Sequence, residues 1–472
     1  MQTYDVIVIG AGSTGENVAA RAVRGGLTAV LVESELVGGE CSYWACMPSK
    51  ALLRGAEAVN AAKAVDGAAQ AVTGEVDPAA TLARRTKFTS NWDDASQVEW
   101  ATSNSIDVLR GVGRLTGERA VRVVAEDGSA TDLAATHAVA LCTGSTASVP
   151  PIPGLADARP WTAREATSAT EVPASLAVIG GGVVGCELAT AWRALGAEVT
   201  LLVRGSGLLA KNEPFAGELV ADALREMGVD LRLDTEITGV RRDGDGPTTV
   251  VTSGGEVTAE VVLVATGRSP GTSDLGLDTV GLEPASWLDV DDTCRVTAVE
   301  GGWLYAAGDL NHRALLTHMG KYQARACGEA IVARAKGKSV GDSAWSAYTA
   351  TADHAAVPSV VFTDPQVASV GRTEEAARAE GLDVRTVEYD LGALAGTALY
   401  ADGYTGRAKL VVDEQRRVIV GATFVGPGIG ELLHSATVAV IGEVPLDRLW
   451  HAVPSYPTMS EIWLRLLEAY GL

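Results

Sequence analysis

Apolar residues gather in short runs that end in glycine, and these runs alternate with alanine-rich stretches of helical character. The run Tyr4 to Ile9 leads into Gly10-Ala-Gly12-Ser-Thr-Gly15, a helical stretch to about Gly25, and a second run, Ala29 to Val32, that ends in Glu33. Strand, glycine turn, helix, strand and acid make a dinucleotide-binding unit: pyrophosphate rests on the helix N-terminus, and the carboxylate holds a ribose hydroxyl. About 170 residues on, the pattern returns. Ala177 to Ile179 precede Gly180-Gly-Gly182-Val-Val-Gly185, a helix runs to Leu195, and a strand spans Val199 to Val203. Here Arg204 takes the place of the acid, and a cation suits a ribose 2′-phosphate, so NADP(H) is favoured over NAD(H). Two such units in one chain point to electron transfer between two bound dinucleotides.

The rest of the pattern is arranged around these units. Ala51 to about Asn104 reads as helices broken near Gly74 and Pro78, and short strands follow from Val108 to Val124, with Gly113 among them. A buried strand, Ala138 to Gly144, delivers Thr143 and Gly144 into a turn, and Pro150, Pro151 and Pro153 mark a linker. Further glycine turns come at Gly267 and at Gly308-Asp309, where the acid can reach a ribityl or ribose hydroxyl. From about Trp345 the strands and amphipathic helices carry no nucleotide motif, which suits an interface or a substrate pocket.

Composition changes this picture little. A chain of 472 residues, 47% apolar with 53 glycines, is a globular α/β protein of two to four domains. A net charge of -21 argues against nucleic acid and anionic membranes as partners. No apolar run reaches the ~18 residues of a spanning helix, and no basic leader precedes Tyr4. The cytosol is the expected compartment, where a disulfide is more often catalytic than structural.

Candidate chemistry concentrates between Gly38 and Lys50, where Cys41 and Cys46 follow a glycine pair and precede Pro48-Ser-Lys50. Such thiols are a redox couple, two metal ligands, or unrelated core cysteines. In a regular helix residues five apart lie roughly 8.6 Å apart at Cα, beyond the ~7 Å limit for a disulfide. A redox couple therefore needs a bent backbone, which Gly38 and Gly39 permit. A zinc site needs further ligands, and Cys142, Cys186, Cys294 and Cys327 stand singly in the sequence.

Taken together, these motifs resemble the pyridine nucleotide-disulfide oxidoreductases, the family of dihydrolipoamide dehydrogenase, glutathione reductase and mercuric reductase. The resemblance runs end to end. It implies two Rossmann-like domains and a C-terminal α+β dimerisation domain: FAD on 1–150 and 272–345, NAD(P) on 151–271, dimerisation on 346–472. It also implies a homodimer in which the last residues complete the partner's active site. Cys46 falls where the family has its charge-transfer thiol and Cys41 where the interchange thiol attacks substrate. Lys50 resembles the lysine beside the flavin, and Glu187 its paired carboxylate. Gly10, Gly12, Gly15, Glu33, Gly39, Gly113, Thr143, Gly144 and Asp309 match the surroundings of FAD, and Gly180, Gly182, Gly185, Arg204 and Gly267 those of the pyridine nucleotide. Phe362-Thr-Asp364-Pro365 looks like the interface-domain signature.

The chain departs from the family near its end. Disulfide reductases of this kind usually carry His-Pro-Thr-x-x-Glu; here the residues are Tyr456-Pro-Thr-Met-Ser-Glu461. A phenol has a reference pKa near ~10 against ~6.5 for imidazole, so Tyr456 is a poor proton acceptor at neutral pH. His451 lies upstream across Pro454, and nothing in the pattern brings it to the same spot. Nor does any cysteine follow Cys327, so the C-terminal cysteine pair of mercuric reductases is missing. The expected acceptor is therefore a small molecule that needs no strong base: a quinone, a metal ion or an unusual small disulfide. The alternatives are an NAD-dependent dihydrolipoyl dehydrogenase whose base comes from elsewhere, and a flavin-bound partner protein of low activity.

Overall fold

A computed structural model describes all residues, Met1–Leu472. The chain divides into two compact units, each made of three segments.

The first unit comprises Met1–Met47, Thr86–Thr146 and Arg268–His354. Its centre is the strand Gln2–Ile9, parallel to Ala29–Glu33 on one side and Ala130–Leu141 on the other; Ile106–Arg110 extends the sheet beyond Ala29–Glu33. On its far edge the long strand Ala130–Leu141 has two partners. Ala120–Val124 pairs antiparallel with its first half, and Leu304–Ala306 runs parallel to its last residues. Central strands are apolar without alternation because both faces are covered. Val6, Val8 and Leu31 share a core with Val18, Ala19, Ala22, Ala324 and Ile331 of two helices. Ile7, Ile9, Val30 and Val32 face Leu115, Val121, Val123 and Leu133 on the other side. The two helices, Ser13–Arg24 and Thr317–Ala335, meet at glycine: a Cβ on Gly328 would lie 2.4 Å from Arg21 Cβ.

The second unit comprises Pro48–Arg85, Ala147–Gly267 and Ala355–Leu472. It contains a parallel sheet in the order Asp230–Arg232, Glu198–Leu202, Ser175–Ile179, Val261–Val264, followed by a three-stranded antiparallel sheet over 237–259. Its last segment forms a five-stranded antiparallel sheet over Pro358–Val361, Gln366–Gly371, Val418–Gly426, Arg407–Asp413 and Val384–Asp390. The strand Val418–Gly426 is buried throughout, and the ring of Trp463, from the helix Ile462–Tyr470, packs edge-on to Phe424 at 5.9 Å. No helix in either unit is long and apolar enough to cross a membrane.

Candidate active site

The stretch around the two cysteines is bent as the thiol spacing requires. Gly38 and Gly39 have φ of +113° and +64°, and a Cβ on Gly39 would stand 2.8 Å from the Gly12 Cα. Only glycine lets this segment lie against the nucleotide turn. A one-turn helix, Gly39–Tyr43, then closes at Trp44, whose φ of -137° breaks the spiral, and a new helix runs Cys46–Lys63. Both Trp44 and Ala45 donate their backbone N–H to the Glu40 carbonyl across the break. Tyr43 is core: fully buried, it donates its phenol to Val37 O at 3.0 Å and its own carbonyl accepts from the Trp92 indole. Trp92 and Tyr43 are thus packing residues.

The break brings the sulfurs together as two thiols. The Cys41 thiol is pushed well above its ordinary range, first by its hydrogen bond to Cys46 and then by burial; Thr317 and the charge of Lys321 act the other way. Cys46 Sγ lies 3.1 Å from Thr317 Oγ1. Thr317 opens the helix Thr317–Ala335, and Lys321 follows one turn later on the same face. The hydrogen bond between the two sulfurs thus makes Cys41 the harder of the two environments in which to lose a proton relative to a free thiol.

Around this pair the first unit has a cradle that fits a dinucleotide. The helix Ser13–Arg24 starts at Gly12 with no side-chain cap, so its first amides are open to a pyrophosphate. A Cβ on Gly15 would collide with the Gly10 carbonyl at 1.9 Å. Glu33 Oε2 accepts from Ala11 N at 2.8 Å and Oε1 from Glu35 N, which fixes the carboxylate at the strand end. Burial raises Asp309, while Ser145 and Arg268 pull it down; Ser145 donates to it at 2.5 Å, and Arg268 also pairs with Glu40 at 2.7 Å. Thr143 donates to Gly271 O at 2.7 Å, and Gly113 packs against Val32 and Ile9. Burial lifts Glu16, in the first helical turn, to about 7. These donors and acids fit FAD.

In the second unit the helix Val183–Ala194 likewise starts at Gly182 without a side-chain cap. A Cβ on Gly185 would meet the Gly180 carbonyl at 1.9 Å, and Gly267 has open space at φ of +144°. Arg204 stands exposed just past Glu198–Leu202 with no carboxylate partner. Glu187, on the helix, is buried; its Oε2 pairs with Lys50 Nζ at 2.7 Å and its Oε1 accepts from Phe362 N at 2.9 Å. The Lys50 ammonium also sits 4.8 Å from the Phe362 ring centre. A buried carboxylate stripped of this cation would cost about 3–5 kcal/mol.

The terminal residues are arranged differently. Tyr456 is 74% exposed and makes no hydrogen bond to Glu461. Glu461 is buried, pairs through Oε1 with Arg465 at 2.6 Å, and leaves Oε2 buried without a partner. His451 is exposed, and the structure joins it to neither residue.

Sequence reasoning missed Thr317, Lys321, Ser145, Arg268 and Glu40, which carry no motif of their own. It also read Cys142, Cys294 and Cys327 as solitary. The Cys327 thiol is in hydrogen-bond contact with Cys294 and feels Cys142 nearby, so three buried thiols gather in the core of the first unit.

The family model described as pyridine nucleotide-disulphide oxidoreductase matches residues 4–337, and that of the family's dimerisation domain matches 357–466. A mercuric reductase of Shigella flexneri is 35% identical over 97% of this chain and 79% of its own length. Dihydrolipoyl dehydrogenase 3 of Pseudomonas putida is 32% identical over 98% and 97%. Among solved structures, the Cu(II) complex of the HOCl-induced flavoprotein disulfide reductase RclA of Escherichia coli superposes with a TM-score of 0.84 at 22% identity, over 99% of both chains. LpdA of Mycobacterium tuberculosis gives 0.83 at 24%, over 100% of both. With two thiols in contact, two glycine-turn cradles and matches over both segments, the chain belongs to the pyridine nucleotide-disulphide oxidoreductases, a family of enzymes built on FAD and a pyridine nucleotide.

Proposed function

We propose that this enzyme takes a hydride from NADPH, in preference to NADH, and delivers the electron pair by way of the Cys41/Cys46 dithiol to an acceptor that needs no histidine base. A quinone, a metal ion and a small disulfide are the candidate classes. FAD, when bound, supplies the two-electron relay between nicotinamide and disulfide. In the first half-reaction NADPH and a proton convert the disulfide to the dithiol and leave NADP+; in the second the acceptor removes the electron pair and restores the disulfide. Cys46 takes the part of the charge-transfer thiol and Cys41 that of the sulfur that meets the acceptor, the roles that the resemblance gives them, and the hydrogen bond between them supports a working pair. Lys50, held by Glu187, would favour the negative charge of a reduced flavin. Residues 1–150 and 272–345 would hold FAD and 151–271 the pyridine nucleotide, with 346–472 making a cytosolic homodimer.

The observation that carries this reading is the contact between the two thiols at the helix break. The choice of acceptor rests on Tyr456, an exposed phenol that Glu461 does not orient. The metal-ion class is also favoured by the likeness to a mercuric reductase over nearly the whole chain.

The test is NADPH oxidation by wild type and Cys41→Ser with a naphthoquinone, Hg(II), Cu(II), lipoamide and glutathione disulfide. At least one of the first three should outpace lipoamide, and disulfide or metal reduction should vanish in Cys41→Ser. Lipoamide as the fastest acceptor, lost on His451→Ala, would overturn the proposal and favour a dihydrolipoyl dehydrogenase.

A further inference from the structure

The first unit holds a cavity whose lining includes none of the residues assigned to the redox chemistry. Its volume is about 280 Å³, and its walls carry Arg119, Arg295, Arg334 and His137 but no aspartate or glutamate. Four elements build it. Arg119 comes from the tight turn between the strands Val112–Gly117 and Ala120–Val124, Thr136 and His137 from the middle of Ala130–Leu141, and Arg334 from the last turn of Thr317–Ala335. Gly301 and Gly302 form the remaining wall. The glycine turns of the nucleotide cradle follow the far ends of the same parallel strands. Thr136 and Cys142 are six residues apart, about 20 Å along an extended chain.

The cations in this cavity are incompletely satisfied. Arg334 has no carboxylate partner: Nη1 donates to Thr293 Oγ1 at 3.0 Å and Tyr305 Oη at 2.9 Å, and its remaining N–H groups are uncommitted. Arg119 is held at φ of +55°, and its Nε is buried with no hydrogen-bond partner. Arg295 pairs with Asp291 at 3.1 Å through Nε, and His137 stands 3.9 Å from Asp5; both acids lie outside the lining. Glu118 reaches only to 3.8 Å of Arg119. A buried N–H left unmade costs about 1–3 kcal/mol, and in a chain of charge -21 three arginines line this cavity with no acid among its walls; the side chains of Arg119 and Arg295, 40% and 42% exposed, leave it accessible to an anion from solvent.

We infer that this cavity is a binding site for a small phosphorylated anion, a phosphate monoester or free phosphate. Guanidinium forks from three directions match a tetrahedral dianion, whose several oxygens can accept from all of them; a carboxylate offers two. The volume admits a phosphate with a short organic group and excludes a dinucleotide. The inference stands apart from the identity of the electron acceptor.

The holoenzyme's thermal midpoint should be followed against inorganic phosphate, glycerol 3-phosphate and, at matched ionic strength, sodium chloride. A saturable rise with either phosphate and none with chloride is expected, and tighter saturation by glycerol 3-phosphate identifies a monoester as the ligand. Arg334→Gln and Arg119→Gln should each weaken the apparent affinity at least tenfold, while phosphate-free NADPH oxidation stays within twofold of wild type. If Arg334→Gln does not fold, Arg119→Gln decides alone. A rise that tracks ionic strength, or one undiminished in the folded variants, overturns the inference.

Discussion

A thiol reacts as its thiolate, so the charges around Cys41 set how readily it meets an acceptor. Lys321 is the cation that counteracts the proton on Cys41, and it stands one turn beyond Thr317, which touches Cys46. A cation lowers a thiol's pKa, and removing it moves reactivity to higher pH. Lys321→Met should therefore move the onset of alkylation of the Cys41/Cys46 pair in the reduced enzyme to higher pH, read by mass spectrometry of the labelled peptides, with Lys321→Arg restoring it. An unchanged profile removes Lys321 from the account. Tyr456 gives the complementary test. Tyr456→His replaces the phenol with an imidazole, whose reference pKa near ~6.5 against ~10 makes it a proton acceptor at neutral pH. Turnover of lipoamide or glutathione disulfide should rise about 100-fold, the low end of what a positioned general base contributes; no rise means that the acceptor site lacks more than its base. The contact of Cys41 with Cys46 was legible in their spacing behind Gly38 and Gly39, and the pairing of Lys50 with Glu187 in the resemblance. Thr317 and Lys321 were not, because only the packing of a distant helix brings them to the thiols, and sequence spacing carries no trace of that. The meeting of Cys294 and Cys327 was hidden for the same reason.

At the level of elements, the two nucleotide units share a helix that begins on glycine without a side-chain cap, so its first amides await a ligand. They differ at the end of the next strand, acid in one and Arg204 in the other. Arg204 has no carboxylate partner to occupy it. A charge-assisted hydrogen bond is worth about 1.5–3 kcal/mol, so Arg204→Glu should lower kcat/KM for NADPH roughly 10- to 100-fold and leave NADH within a fewfold. An unchanged NADPH/NADH ratio would remove the argument for the 2′-phosphate. These elements were readable because a buried parallel strand leaves an unbroken apolar run: the expected Val199 to Val203 is observed as Glu198–Leu202. The strand ending at Leu141 was only half readable. It begins at Ala130, but its first half, Ala-Thr-Asp-Leu-Ala-Ala-Thr-His, lies partly exposed beside an antiparallel hairpin, and its small and polar residues mimic a loop.

For the whole molecule the telling pattern is where apolar side chains remain uncovered. Val438, Ile441, Trp450, Val453 and Tyr456 are all exposed, within nineteen residues of the segment that matches the dimerisation model. The helix Leu433–Ile441 buries Leu433, Ala436, Ala439 and Val440 against its own sheet, yet presents Val438, 56% exposed, and Ile441 outward. A helix apolar on both faces is one that expects a second surface. A second copy is the partner the family model implies, and the solution mass should be twice the 48.7 kDa of the chain. Val438→Asp with Val453→Asp places two charges where that contact must be dry, and light scattering should then return the single-chain mass at micromolar concentration. The activity of that variant decides more than the mass does. If Tyr456 of one subunit faces the thiols of the other, the separated subunits should keep FAD and still be reduced by NADPH, yet lose turnover with the acceptor. Full turnover by a true monomer would mean that the exposed phenol has no part in the site and that Cys41, Cys46 and Lys321 serve the acceptor within a single chain.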